Sequence, residues 1–144
     1  MSDLFLIVEI AGTEVAIRSD CIESVVTIGE VVTVPQADPL IAGLIALRSR
    51  VLTLIDCQYA ISGHKSADEN GKLAVVATIG GHPYALKVEA VRDVVSVDAD
   101  SILPAMRLDP CWARIAQEVV EIEGRMIVLL SPDMLLVPQS ALAA

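Results

Sequence analysis

Apolar residues in this chain come in runs of strand length, and this constrains its fold more than any other feature. The runs are rich in Val and Ile, and Gly, Pro, Asn or Asp stops each one before it could supply a long buried helix. Leu4 to Ile10 reads as a strand apolar on both faces, and Ala11-Gly12-Thr13 turns the chain. Val15 and Ile17 then alternate with Ala16 and Arg18, the period of a half-buried strand. Cys21 to Ile28, Val31 to Val34 and Ile45 to Ile55 are predicted as further strands, the second halted by Pro35. Leu73 to Ile79, Tyr84 to Val88 and Ala90 to Val97 add three more. Gln117 to Ile122 and Met126 to Leu130 flank Glu123-Gly124-Arg125 as a hairpin. Ser62 to Lys72 is the clearest loop, and Pro104 to Arg114 reads as irregular. Short helical turns are expected only around Pro39 to Leu44 and from Ser131-Pro132-Asp133. Many short strands at regular spacing mean an all-β barrel or sandwich.

The halves also echo each other. A shift of 69 brings Ile10 onto Ile79, Gly12 onto Gly81, Ala16 onto Ala85 and Val25-Val26 onto Val94-Val95. Further along, a shift of 75 lays Arg50-Val51-Leu52-Thr53-Leu54-Ile55 on Arg125-Met126-Ile127-Val128-Leu129-Leu130. Turns coincide as well as strands, which favours a duplicated unit with one small insertion. Each half holds about five short strands, and two such small barrels could pack face to face.

Composition narrows the function. Ten Lys and Arg against 19 Asp and Glu leave a net charge of −9, the wrong sign for displacing counterions from nucleic-acid phosphates. Phe5, Trp112, Tyr59 and Tyr84 are the only aromatics, too few for a base-stacking platform. No uncharged run reaches the roughly 20 apolar residues of a membrane span. Asp3 and Glu9 spoil the N-terminus as a secretory signal, so a cytoplasmic location is expected. Cys21, Cys57 and Cys111 are odd in number and far apart, which fits reduced thiols.

Chemistry finds no foothold. His64 and His82 lack any ligand partner at helical or hairpin spacing. There is no nucleophile elbow, and Cys21 and Cys57 lie inside apolar patterns. Asp98 with Asp100, and Glu121 with Glu123, would each share one strand face, a geometry open to acid–base work but commoner as a solvated acidic surface. No catalytic residue, metal ligand or cofactor is assigned. With 54% hydrophobic and 20% charged residues, the chain has apolar surface to spare, and exposed apolar patches mark partner surfaces. An interaction module is the leading class, with a small ligand-binding or enzymatic β-barrel as the competing one.

The stretch VPQADPLIAGLIALRSRVLTLID, Val34 to Asp56, resembles the signature region of CheW-like domains, the adaptor modules of bacterial chemosensory arrays. Val34-Pro35, Gly43, Leu47, Arg48 and Asp56 stand at the family's positions, and Gly81 lies in GGHPYALKVEAV, which resembles the second-half hairpin. FLIVEIAGTEVAI resembles the opening hairpin, and the likeness runs from about Leu4 to Val137. The chain departs from the pattern at Ala46 (Asn), Ser49 (Gly), Thr53 (Pro), Cys57 (Leu) and Ser24 (Glu), with Glu23 one step before the last.

The resemblance implies two intertwined five-stranded SH3-like barrels in one domain over residues 1–144. It also implies a non-catalytic cytoplasmic scaffold that couples chemoreceptor tips to the regulatory domain of a CheA-type histidine kinase. A CheW-like role in a type IV pilus or other chemosensory pathway is equally compatible. The partner-binding residues so implied are Ile22, Gly43, Leu47, Arg48 and Ser49, with Pro35, Asp56 and Gly81 as structural motif residues. The receptor groove is expected between the barrels near Arg48, and the kinase contact on the barrel ends. If the strand runs through Arg48, then Leu47 is buried while Arg48 on the opposite face reaches solvent or a partner.

Overall fold

A computed structural model describes residues 2–10, 12–35, 40–62, 73–104 and 118–130. Eleven strands are found among them: β1 (Ser2–Ile10), β2 (Thr13–Arg18), β3 (Ile22–Thr27), β4 (Ile41–Leu47), β5 (Arg50–Asp56), β6 (Leu73–Ile79), β7 (His82–Val88), β8 (Ala90–Asp98), β9 (Ile102–Pro104), β10 (Glu118–Ile122) and β11 (Arg125–Leu129). One short helix, α1 (Cys57–Ser62), follows β5, and single 3-10 turns occupy Ser19–Cys21 and Ala99–Ser101. The architecture is all-β, as the apolar pattern predicts.

The strands form two sheets, ordered β8-β1-β2-β11-β10-β9 and β3-β6-β7-β5-β4. Neither sheet is one half of the chain. Hairpin β1–β2 joins the C-terminal strands through a parallel pairing of Val15 with Val128 and Ala16 with Leu129. Hairpin β6–β7 joins the N-terminal strands through a parallel pairing of Tyr84 with Thr53 and Ala85 with Leu54. The 69- and 75-residue offsets convert one set of pairs into the other, and they also convert Leu6↔Val94 into Val75↔Val25. The repeat is therefore real in three dimensions, but its halves exchange hairpins instead of each closing a barrel alone. One sheet also gains a sixth strand, the three-residue β9.

Three apolar clusters explain the strand patterns. Phe5, Ile7, Ala16, Val97, Val120, Ile127 and Leu129 fill one sheet's interior, and Ile45, Leu52, Leu54, Ala74, Val76 and Ala85 fill the other's. The largest cluster lies between the sheets: Leu6, Val8 and Ile10 of β1 meet Val75, Ala77 and Ile79 of β6 and Leu86 and Val88 of β7. β1 is apolar on both faces because one face lines a barrel and the other packs against its twin. At about 1.5–3 kcal/mol for each fully buried aliphatic side chain, separating the barrels would cost as much as opening either one.

Local expectations needed correction at five places. Ile41 to Leu44, predicted as part of a helical turn, is strand, because Ile41, Gly43 and Leu44 pair with Ile55, Leu54 and Thr53 of β5, and Leu44 also exchanges backbone hydrogen bonds with Val32 at 2.8 and 2.9 Å. The Val31 to Val34 strand reduces to that single bridge. The Ile45 to Ile55 strand is two strands of a hairpin, and the segment from Cys21 begins as a 3-10 turn. α1 was not foreseen; its signal is Asp56, whose Oδ1 accepts the Tyr59 amide at 3.1 Å as an N-cap. The Ser62 to Lys72 loop beyond Ser62 (with His64), the irregular stretch after Pro104 with Cys111 and Trp112, and the Ser131 helix start lie outside the described residues.

Candidate functional site: the hairpin between β4 and β5

β4 and β5 pair antiparallel from Leu47↔Arg50 outward, which leaves Arg48 and Ser49 as a two-residue turn. Their φ values are 48° and 70°, the left-handed pair that a type I′ hairpin turn demands. Arg48 is therefore a turn residue and not a strand residue, so the opposite-face expectation is replaced by a different geometry. Leu47 ends β4 and packs against the barrel interior, while Arg48 and Ser49 are both exposed at the tip. Turn sequences with Asn or Gly are easily recognised, whereas Arg-Ser hid this one. The 75-residue offset would have found it, because it lays Arg48-Ser49 on Glu123-Gly124, whose φ values are 50° and 79°.

An unforeseen ion pair borders the turn. Arg50 Nη2 donates to Glu23 Oε1 at 2.8 Å, and Nη1 reaches Oε2 at 3.4 Å. Glu23 is the extra residue of a β-bulge, since Ile22 pairs with Ala77 and Ser24 with Val76. Ile22 itself is half-buried against the inter-sheet cluster. The structure thus brings Glu23 to the hairpin that carries Arg48 to Arg50, while Ile22 packs on the inter-sheet side. Among the described residues no carboxylate pairs with Arg48, and the carboxylate one step from the family's position is held by Arg50 instead.

The other predicted residues lie elsewhere. Gly43 sits mid-β4, where a Cβ would come within 2.6 Å of both Val31 Cγ1 and the Val32 carbonyl oxygen. Only glycine permits that approach. Pro35 follows Val34 in an exposed turn. Asp56 is buried and caps α1. Gly81 occupies the β6–β7 hairpin turn at φ 83°.

Outside the turn, the second barrel carries its own charge row. Glu9 and Glu14 face each other across β1 and β2. Arg92 binds Glu9, and Arg125 Nη1 lies 2.5 Å from Glu14 Oε1, so each carboxylate has its own cation. Arg92 is the bulge residue of β8, the counterpart of Glu23 under the 69-residue offset. Exposed aliphatic positions repeat too: Val25 and Val51 on one barrel correspond to Val94 and Met126 on the other.

Neither of the two sequence-predicted carboxylate pairs, nor the Cys57 thiol, has a geometry for acid–base or nucleophilic chemistry. Asp98 ends β8 while Asp100 lies in a 3-10 turn, and Glu121 is in β10 while Glu123 is in a hairpin turn, so neither pair shares a strand face. Burial, reinforced by the Asp56 charge, pushes the Cys57 thiol well above its ordinary range, which keeps it protonated. Among the described residues no three His, Cys, Asp or Glu side chains cluster as a metal site, and no helix is long and apolar enough to cross a membrane.

The chain matches the CheW-like domain family over residues 4–139. It is 33% identical over 101 residues to the chemotaxis protein CheW of Rhizobium meliloti, a match spanning 69% of this chain and 64% of that protein's length. The crystal structure of the scaffolding protein TtCheW from Thermoanaerobacter tengcongensis superposes with a TM-score of 0.86 at 19% identity, covering 96% of this chain and 95% of that one. That likeness establishes the fold as two intertwined SH3-like barrels.

Proposed function

Because this chain belongs to the CheW-like domain family, we propose that it is a non-catalytic chemotaxis scaffold that couples chemoreceptor tips to the regulatory domain of a CheA-type histidine kinase. It works in the cytoplasm, recruited to receptor arrays at the membrane, with residues 1–144 acting as one domain. The observation that carries the reading is the β4–β5 tip: Arg48 stands exposed on a tight two-residue hairpin turn with its charge uncompensated among the described residues. An arginine so presented, next to half-buried Leu47, has the makings of a binding hot spot. Ser49 shapes the turn, and Gly43 holds β4 against the segment that leads into it. The kinase contact is assigned to the exposed aliphatic positions, Val25 and Val51 or their counterparts Val94 and Met126.

Arg48→Ala tests the reading directly. Arg48 is exposed and has no carboxylate partner among the described residues, so its replacement should change stability by no more than about 0.5 kcal/mol. A hot-spot contact should cost about 2 kcal/mol of binding, more than tenfold in affinity. The measurements are a melting curve and calorimetric titration with a soluble chemoreceptor signalling fragment, with a kinase regulatory domain in parallel. A large loss of stability with intact receptor binding would make Arg48 a structural strut. No binding of either partner at high micromolar concentration would remove the scaffold reading.

A further inference from the structure

The β4–β5 turn carries two arginines two positions apart, and the protein treats them differently. Arg48 has no carboxylate partner among the described residues, while Arg50 grips both oxygens of Glu23. Their strands are not neighbours, because β6 and β7 lie between β3 and β5 in the sheet order. The pair is therefore a brace between elements that no backbone ladder joins directly. Glu23 reaches across because the bulge at the start of β3 re-aims it.

What the brace holds is a strained element. Arg48 and Ser49 both take positive φ with neither Gly nor Asn to ease it, and Arg50 is the first residue after them. The counterpart turn in the other barrel has Gly124 at the second position, and its following arginine, Arg125, is also braced, by Glu14 at 2.5 Å. Both turns are tied down by an arginine at the same position, but only the first lacks the glycine.

We propose that Glu23 and Arg50 are positioning residues for Arg48: their ion pair fixes the start of β5, so that the strained turn presents Arg48 to a partner in one orientation. This rests on the reading of Arg48 as a contact residue. Their side chains are 41% and 44% exposed, and pairs so exposed add little to stability. Their effect falls instead on the orientation of the turn, where a pre-ordered contact binds with less loss of freedom.

The test compares Arg50→Ala, Glu23→Ala and the charge swap Glu23→Arg/Arg50→Glu with Arg125→Ala, which removes the corresponding brace from the other barrel. Hydrogen exchange of the amides of residues 49 to 51 in the free protein reads the turn. Titration with a soluble chemoreceptor signalling fragment reads the contact, and a melting curve reads stability. Arg50→Ala and Glu23→Ala should each speed exchange and weaken receptor binding by about three- to fivefold, fivefold being the conversion of about 1 kcal/mol, the upper end for an exposed pair. The swap should restore both to within twofold, and Arg125→Ala should move neither. Receptor binding retained in Arg50→Ala but lost in Arg48→Ala would overturn the positioning role and leave the contact role standing. Unchanged exchange in Arg50→Ala would overturn it whether or not the receptor fragment binds. If the parent protein fails to bind the fragment, the scaffold reading falls, and exchange alone decides the brace.

Discussion

Replacing Ser49 with glycine should make the protein more stable, although Ser49 lies in the turn that carries the proposed contact. Ser49 holds a φ of 70°, and a residue with a Cβ in that region is disfavoured by about 1–2 kcal/mol. Glycine removes the cost but returns about 0.4–1 kcal/mol of entropy to the unfolded chain. The difference is a gain of about 0.8 kcal/mol, or about 2–4 °C in Tm for a chain of this size. The duplicated architecture supplies the reverse experiment. Gly124 occupies the corresponding position at φ 79°, and a Cβ added there meets no atom within 4 Å. Gly124→Ser should therefore cost about the same 0.8 kcal/mol through the backbone alone. The two turns lie in different sheets, so the double variant should return to near the parent value by additivity. Urea unfolding followed by circular dichroism gives the midpoints, with an unchanged slope confirming that the unfolded ensemble is comparable. Destabilisation by Ser49→Gly, or no cost from Gly124→Ser, would refute the assignment of strain to this turn.

Three other outcomes are expected. Asp56→Ala removes the N-cap of α1 and should cost about 1–2 kcal/mol in thermal unfolding, whereas Asp56→Asn keeps an acceptor and should cost much less. Gly43→Ala forces a Cβ to 2.6 Å from a backbone oxygen and should lose about 2–3 kcal/mol or more; a loss below about 1 kcal/mol would mean that the Val31–Val32 segment yields freely. Cys57 should make stability fall at alkaline pH, because burial raises its thiol in the folded state alone. Its stabilising contribution is complete below the unfolded value of about 8.5 and shrinks above it, as the unfolded chain releases the proton and the folded chain keeps it. Between pH 8.5 and 10 the parent should lose up to about 1.4 kcal/mol per pH unit relative to Cys57→Ala, and parallel denaturant profiles would exclude the effect.

What the sequence determined by itself is the set of features that short-range chemistry controls. β6 and β10 with β11 were legible almost to the residue, since period-2 or two-faced apolar runs end at Gly80-Gly81 and Glu123-Gly124. The duplication was legible too, and with it the positions that later proved equivalent in space. The β4–β5 hairpin was not, because Arg-Ser is not a sequence that favours positive φ; the turn forms there because the paired strands on either side require it. Tertiary structure alone decided that each barrel borrows its hairpin from the other half, for parallel pairings such as Val15 with Val128 join residues that no local pattern connects. It also decided which arginine is paired with a carboxylate among the described residues. Arg48 and Arg50 are alike in sequence, and Glu23 lies 27 positions from Arg50. Only the bulge in β3, set by how that strand pairs with β6, aims the carboxylate at the second arginine and leaves the first exposed.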